Sequence, residues 1–97
     1  MSGKNTKEKA VVSAADHMEL GQFYFLNHKY EEAVCEFQKV LEMDPKNAEA
    51  YYNIGLIKES ANKTDEAKEM YAKALEIKGD YKLARERLNK LIGLEDE

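Results

Sequence analysis

His17, His28, Cys35 and 19 acidic residues are among the side chains of this 97-residue chain that could ligate a metal, attack an electrophile or exchange protons. Their spacing assembles none of these sites. The histidines stand 11 residues apart. They share a helix face only if one helix runs unbroken through Asn27-His28, which reads as a turn. His17 lies on an apolar stripe and is expected to pack rather than to ligate. A lone cysteine excludes an intramolecular disulfide and any zinc site built on cysteine pairs. Cys35 is expected as a small, partly buried apolar residue in a reducing compartment. Gly3-Lys4 lacks the rest of a phosphate loop, and no strand precedes it. Glu32, Glu36, Glu66 and Glu69 are expected on a solvated face with weak lysine pairs. No catalytic residue, metal site or cofactor is therefore expected, and the chain does not read as an enzyme.

Composition narrows the partners. Lysine and arginine number 15 against the 19 acids, a net charge of −4. Nucleic-acid binders show a basic patch or a strongly basic domain, so nucleic acid is not an expected partner. The N-terminus has lysines but no apolar stretch behind them, unlike a secretory signal. No run reaches the length of a membrane span. The expectation is a cytoplasmic protein without a membrane partner. A chain of this size forms one small domain that buries about 60–70% of its unfolded surface.

The elements that must position the side chains are helices. Val11, Val12, Ala15, Met18, Leu20, Phe23 and Tyr24 recur at intervals of three and four, the period of one helix. Tyr30, Ala33, Val34, Phe37, Val40 and Leu41 mark a second, ended by Asp44-Pro45. Asn47 is placed to cap a third, carrying Ala50, Tyr51, Ile54, Ile57 and the stem of Lys58. After a turn at Asn62-Lys63, Thr64 or Asp65 is expected to cap a fourth, with Ala67, Met70, Tyr71, Ala74 and Leu75. Gly79 fits the left-handed position past a helix end, and Asp80 a cap for a fifth, with Leu83, Ala84, Leu88, Leu91 and Ile92. Turns of a few residues imply antiparallel neighbours.

These helices repeat. Leu20-Gly21 returns as Ile54-Gly55, 34 residues later, with Ala33 matched by Ala67, Phe37 by Tyr71, Leu41 by Leu75 and Glu42 by Glu76. Glycine inside a helix costs about 0.5–1 kcal/mol relative to alanine. Gly21 and Gly55 are therefore expected to admit another backbone, with Ala33 and Ala67 facing them. Leu20, Phe37, Ile54 and Tyr71 are expected to fill the layers above and below.

The pattern resembles the tetratricopeptide repeat, a helix–turn–helix unit of 34 residues. One copy reads His17-x-x-Leu20-Gly21-x-x-Tyr24, Ala33-x-x-x-Phe37 and Pro45. The next reads Tyr51-x-x-Ile54-Gly55 and Ala67-x-x-x-Tyr71, departing at Lys58 and Gly79. The resemblance implies an all-α, right-handed α-solenoid of antiparallel helix pairs, five helices in all. Composition adds the ends, and the chain is expected to divide into a disordered, lysine-rich N-terminus (1–8), a folded domain (9–93) and an acidic tail (94–97). Within the domain fall repeats at about 14–47 and 48–81 and a cap helix at about 82–92.

The resemblance also implies a function, binding a peptide in the concave groove lined by the first helix of each unit. By position that groove presents Met18, Gln22 and Phe25, then Tyr52, Asn53, Leu56 and Glu59, then Leu83, Arg87 and Lys90. Met18, Phe25, Tyr52 and Leu56 give it an apolar character. One subclass clamps the C-terminal carboxylate of chaperones with paired lysines, paired asparagines and an arginine. Asn53 and Arg87 match that set, but Met18 and Leu83 stand for the lysines and Gln22 for the other asparagine. Chaperone-tail recognition is therefore not expected, since the lysines supply the charge-assisted bonds. The expected function is that of an adaptor that takes an apolar or amphipathic segment of another protein. The alternative is a structural module that homodimerises through its groove or cap helix, because solenoids generally need about three units.

Overall fold

The computed structural model describes residues 12–93. The expectations for residues 1–8 and for the acidic tail lie outside the described residues. Five helices follow one another: α1 (Ala14–Leu26), α2 (Tyr30–Met43), α3 (Ala48–Ser60), α4 (Thr64–Ile77) and α5 (Lys82–Ile92). The α1 helix begins later than its apolar stripe suggests, because Ser13 caps it. The Ser13 hydroxyl accepts from the Asp16 amide at 3.1 Å, and the Asp16 carboxylate accepts from the Ser13 amide at 3.2 Å. This reciprocal pair satisfies two amides that would otherwise be orphaned.

The two helix pairs turn the same way. His28 and Asn62, 34 residues apart, both adopt left-handed backbone, with φ of 62° and 63°. The Lys29 amide donates to the Tyr24 carbonyl and the Lys63 amide to the Lys58 carbonyl, each at 2.8 Å. His28 and Asn62 donate in turn to Phe25 and Glu59. These are the paired bonds of a Schellman ending, which satisfies the last carbonyls of a helix. The turn also corrects the capping expected for α4. Lys63 occupies the cap position without a side-chain bond, and Thr64 and Asp65 are already helical.

Asn47 does cap α3, its side-chain oxygen accepting from the Ala50 amide at 2.9 Å. The α5 start departs from expectation. Tyr81, not Asp80, holds the cap position, with no side-chain bond. Gly79 is not left-handed either; among the described glycines that role falls to Gly93, at φ 84°. The chain leaves α4 through extended backbone at Lys78 and closes with a bond from the Tyr81 amide to the Lys78 carbonyl, so no left-handed residue is required.

Packing runs in sequence order: α1 with α2, α2 with α3, α3 with α4, and α4 with α5, as antiparallel neighbours. Ala33 and Phe37 of α2 join Ile54 and Ile57 of α3 in one buried cluster. Ala48, Ala74 and Ala84 form a second across α3, α4 and α5. The mid-helix glycines have a different partner from the one expected. A Cβ on Gly21 would stand 2.6 Å from the ring of Phe37, and one on Gly55 would stand 2.6 Å from that of Tyr71. The glycines make room for aromatic rings, not for a backbone behind alanine.

Leu20 also departs from its expected layer. It is 40% exposed, whereas its repeat partner Ile54 is 4% exposed. The α2 helix covers Ile54, and no described element lies on the corresponding side of α1. Cys35 is exposed on α2 rather than partly buried, since the core-facing positions of that helix are Ala33, Phe37 and Val40.

Candidate functional site

The ten positions expected to line the groove come from α1, α3 and α5, the first helix of each unit, and they differ in accessibility. Gln22, Leu83 and Lys90 are exposed. Met18, Phe25, Tyr52, Asn53, Leu56, Glu59 and Arg87 are partly buried. Met18 and Phe25 lean on the Phe37–Ile54 cluster, and the Phe25 ring lies 5.9 Å from that of Tyr30. Tyr52 sits between two other rings, 5.8 Å from Tyr71 and 5.2 Å from Tyr81.

Glu59 and Arg87 are tied to each other. Arg87 donates through Nη2 to Glu59 Oε2 at 3.0 Å and through Nε to Oε1 at 3.3 Å, while the Tyr71 hydroxyl donates to Oε1 at 2.8 Å. This network joins α3, α4 and α5. Burial, and then the bonded Glu59 carboxylate, push the Tyr71 hydroxyl well above the ordinary tyrosine range. Burial alone would lower the Arg87 guanidinium, but the neighbouring Tyr71 and the bonded Glu59 raise it. Tyr81 is pushed up to about 12, by burial first and by the nearby Glu49 second.

The same three places one repeat earlier hold Phe25, Phe37 and Asn53. Asn53 corresponds to Arg87, but the acceptor that Glu59 supplies is replaced there by the ring of Phe25. The consequence is visible: Asn53 Nδ2 is buried without a hydrogen-bond partner. Sequence reasoning placed Glu59 and Arg87 in the groove and missed both their mutual pairing and the Tyr71 hydroxyl. The signal was the joint change of three positions at the repeat offset, from two phenylalanines and an amide to an acid, a phenol and a guanidinium.

Two further residues depart from expectation. His17 does not simply pack; its Nδ1 lies 2.7 Å from Glu36 Oε1, with both side chains largely buried. Glu36 therefore leaves the solvated acidic face, which Glu32, Glu66 and Glu69 keep. Lys58 reaches across to Glu66 at 2.9 Å; the hydrogen bond and then the charge of this lysine hold the Glu66 carboxyl below its usual value. A small cavity of about 190 Å³, lined by Tyr30, Val34, Ile57 and Lys58 among others, opens between α2 and α3 and includes none of the groove positions. Among the described residues no group of three or more His, Cys, Asp or Glu could hold a metal. No described helix is long and apolar enough to cross a membrane.

A run of antiparallel helix pairs with a repeated glycine–aromatic contact defines a helical repeat module. The family model described as TPR repeat matches residues 21–60, and that described as Tetratricopeptide repeat matches residues 48–81. The chain belongs to the tetratricopeptide repeat family, whose domains generally mediate protein–protein interactions. Among solved structures, it is similar to MamA at 28% identity with a TM-score of 0.79, covering 88% of this chain and 52% of MamA. A second MamA structure gives 28% identity and a TM-score of 0.76, over 88% and 48% of the two chains. The chain thus spans about half the length of these relatives. A tetratricopeptide repeat domain protein from Salinibacter ruber shares the fold at 24% identity, with a TM-score of 0.74 over 88% of this chain and 92% of that one. No curated protein matches the chain significantly.

Proposed function

We propose that this protein is an adaptor whose groove binds an apolar or amphipathic peptide segment. The observation that carries this reading is the pairing of Arg87 with Glu59. Arg87 is the groove cation placed to meet a carboxylate, and an acid of its own chain already occupies it. Charge-assisted recognition of a terminal carboxylate is disfavoured, and the apolar side chains Met18, Phe25, Tyr52 and Leu56 are left to define the surface. Their partial exposure fits a floor that a ligand side chain can cover, with Tyr52 held between the tilted rings of Tyr71 and Tyr81 as a rigid anchor.

The reading is tested by affinity capture followed by titration of the captured peptide. Phe25→Ala and Tyr52→Ala should each weaken binding by about tenfold or more, as truncation of an aromatic anchor does, while circular dichroism stays that of the parent. Unchanged affinity in both folded variants overturns the groove assignment.

A further inference from the structure

We infer that α1 carries a second interaction surface on its outer side, and that its occupant is a second copy of this chain packed about a two-fold axis at Phe23. The apolar residues of α1 fall on both sides of the helix, as they do on α3. On α3 both sides are covered, and a helix apolar all round is one that expects burial. On α1 the inner side meets α2 through Gly21. The outer side leaves Leu20, Phe23 and Leu26 exposed at 40%, 57% and 77%.

Register tells which occupant fits. If a preceding helix lay on α1 as α2 lies on α3, it would cover the position equivalent to Ala50 and Ala84, both fully buried. That position is Asp16, whose charged carboxylate closes the α1 cap. Burying it would be costly. At the other end, the position of exposed Ser60 is occupied by Leu26. Leu20 and Phe23 hold the places of Ile54 and Ile57, which α2 buries on α3, so the apolar surface takes in those stacking positions and runs past them to Leu26, while Asp16 closes the other end to a helix.

A second copy crossing antiparallel at Phe23 matches that extension to Leu26. Leu20 and Leu26 are spaced equally on either side of Phe23. A two-fold axis through Phe23 sets ring against ring and each Leu20 against its partner's Leu26, the reciprocal pattern of an isologous contact. Charge agrees. Asp16 and Glu19 stand at the start of α1 and Lys29 just past its end, so antiparallel pairing brings acid toward base, whereas parallel pairing would oppose like charges. The surface uses none of the groove positions, and the inference does not depend on the groove.

Sedimentation equilibrium of the full chain tests this. The parent should approach twice its 11.1 kDa mass at high micromolar concentration. Phe23→Glu and Leu26→Lys should each weaken self-association by about thirtyfold or more with unchanged circular dichroism, both sites being exposed. Phe23→Cys in a Cys35→Ser background should form a symmetric intermolecular disulfide. A strictly monomeric parent overturns the proposal, including the case in which Phe23→Glu lowers the stability of that monomer, since the face would then be covered from within the chain. A dimer lost in Tyr52→Ala but kept in Phe23→Glu also overturns it, by placing the contact in the groove.

Discussion

The ring of Tyr71 occupies the space that a side chain at position 55 would need: a Cβ on Gly55 would come 2.6 Å from Tyr71 Cε1. Gly21 stands to Phe37 in the same relation, one repeat earlier. In each pair the absence of a side chain on one helix allows a fully buried ring on the next.

Substituting either glycine is therefore expected to destabilise the fold despite a gain in helix propensity. Alanine in place of glycine inside a helix contributes about 0.5–1 kcal/mol, but overpacking costs about 1–3 kcal/mol. Both rings are buried, Phe37 at 1% and Tyr71 at 0% exposed. Gly21→Ala and Gly55→Ala should lower the urea midpoint. Gly79→Ala, where the nearest atom is 3.9 Å away, should leave it unchanged or raise it.

The Glu59 network predicts an asymmetry between its members. Tyr71→Phe removes one donor, while Arg87 still satisfies Glu59, and should cost about 0.5–1.5 kcal/mol. Glu59→Ala leaves the buried Tyr71 hydroxyl unpaired and should cost more, about 1–3 kcal/mol. Arg87 is 41% exposed, so its share is reduced by screening, and salt should narrow the difference. A double-mutant cycle in urea denaturation, run at low and high salt, measures both effects.

The buried phenols predict alkaline sensitivity. Tyr71 and Tyr81 hold their protons more tightly in the fold than in the unfolded chain, whose tyrosines ionise near about pH 10. Above that value the unfolded state releases protons that the folded state retains, so stability falls as pH rises. The contribution is fully present below about pH 10. For Tyr81 it is lost as pH climbs through about 12. Melting temperatures followed upward from pH 8 should decline in the parent, and less steeply in Tyr71→Phe and Tyr81→Phe.

Asn53 predicts a gain. Its Nδ2 is buried without a partner, and replacing an unsatisfied polar group by an apolar group of similar shape is close to neutral or stabilising. Asn53→Leu should raise unfolding stability by up to about 1 kcal/mol, read from the denaturation midpoint. A loss of more than that would mean that the amide is satisfied in solution.

Much of the fold was legible because it is written twice. Leu20-Gly21 and Ile54-Gly55, with Ala33 and Ala67 and the aromatic pair that follows, state one packing unit at one offset. The left-handed turns at His28 and Asn62 were legible as turns for the same reason. Other features were not. Single-residue signals at Gly79, Asp80 and Thr64 suggested caps that the chain does not use: the cap positions fall at Lys63 and Tyr81, without side-chain bonds, and the chain leaves α4 through extended backbone at Lys78. The expected groove positions came from the repeat, which carries no information on how exposed each of them is. Glu59 and Arg87 are 28 residues apart, and nothing local marks them as a pair.

The sequence by itself determined the helices, their turns and their period, since these depend on neighbours within one turn of the chain and on a pattern stated in duplicate. Tertiary structure decided which of two equivalent residues is buried and which polar group is satisfied. Leu20 and Ile54 occupy the same place in their repeats, yet among the described residues only Ile54 has a helix laid across it. Arg87 and Asn53 likewise share a place, yet only Arg87 meets a carboxylate. Burial and hydrogen bonding belong to the space between helices, and that space differs from one end of a repeat array to the other.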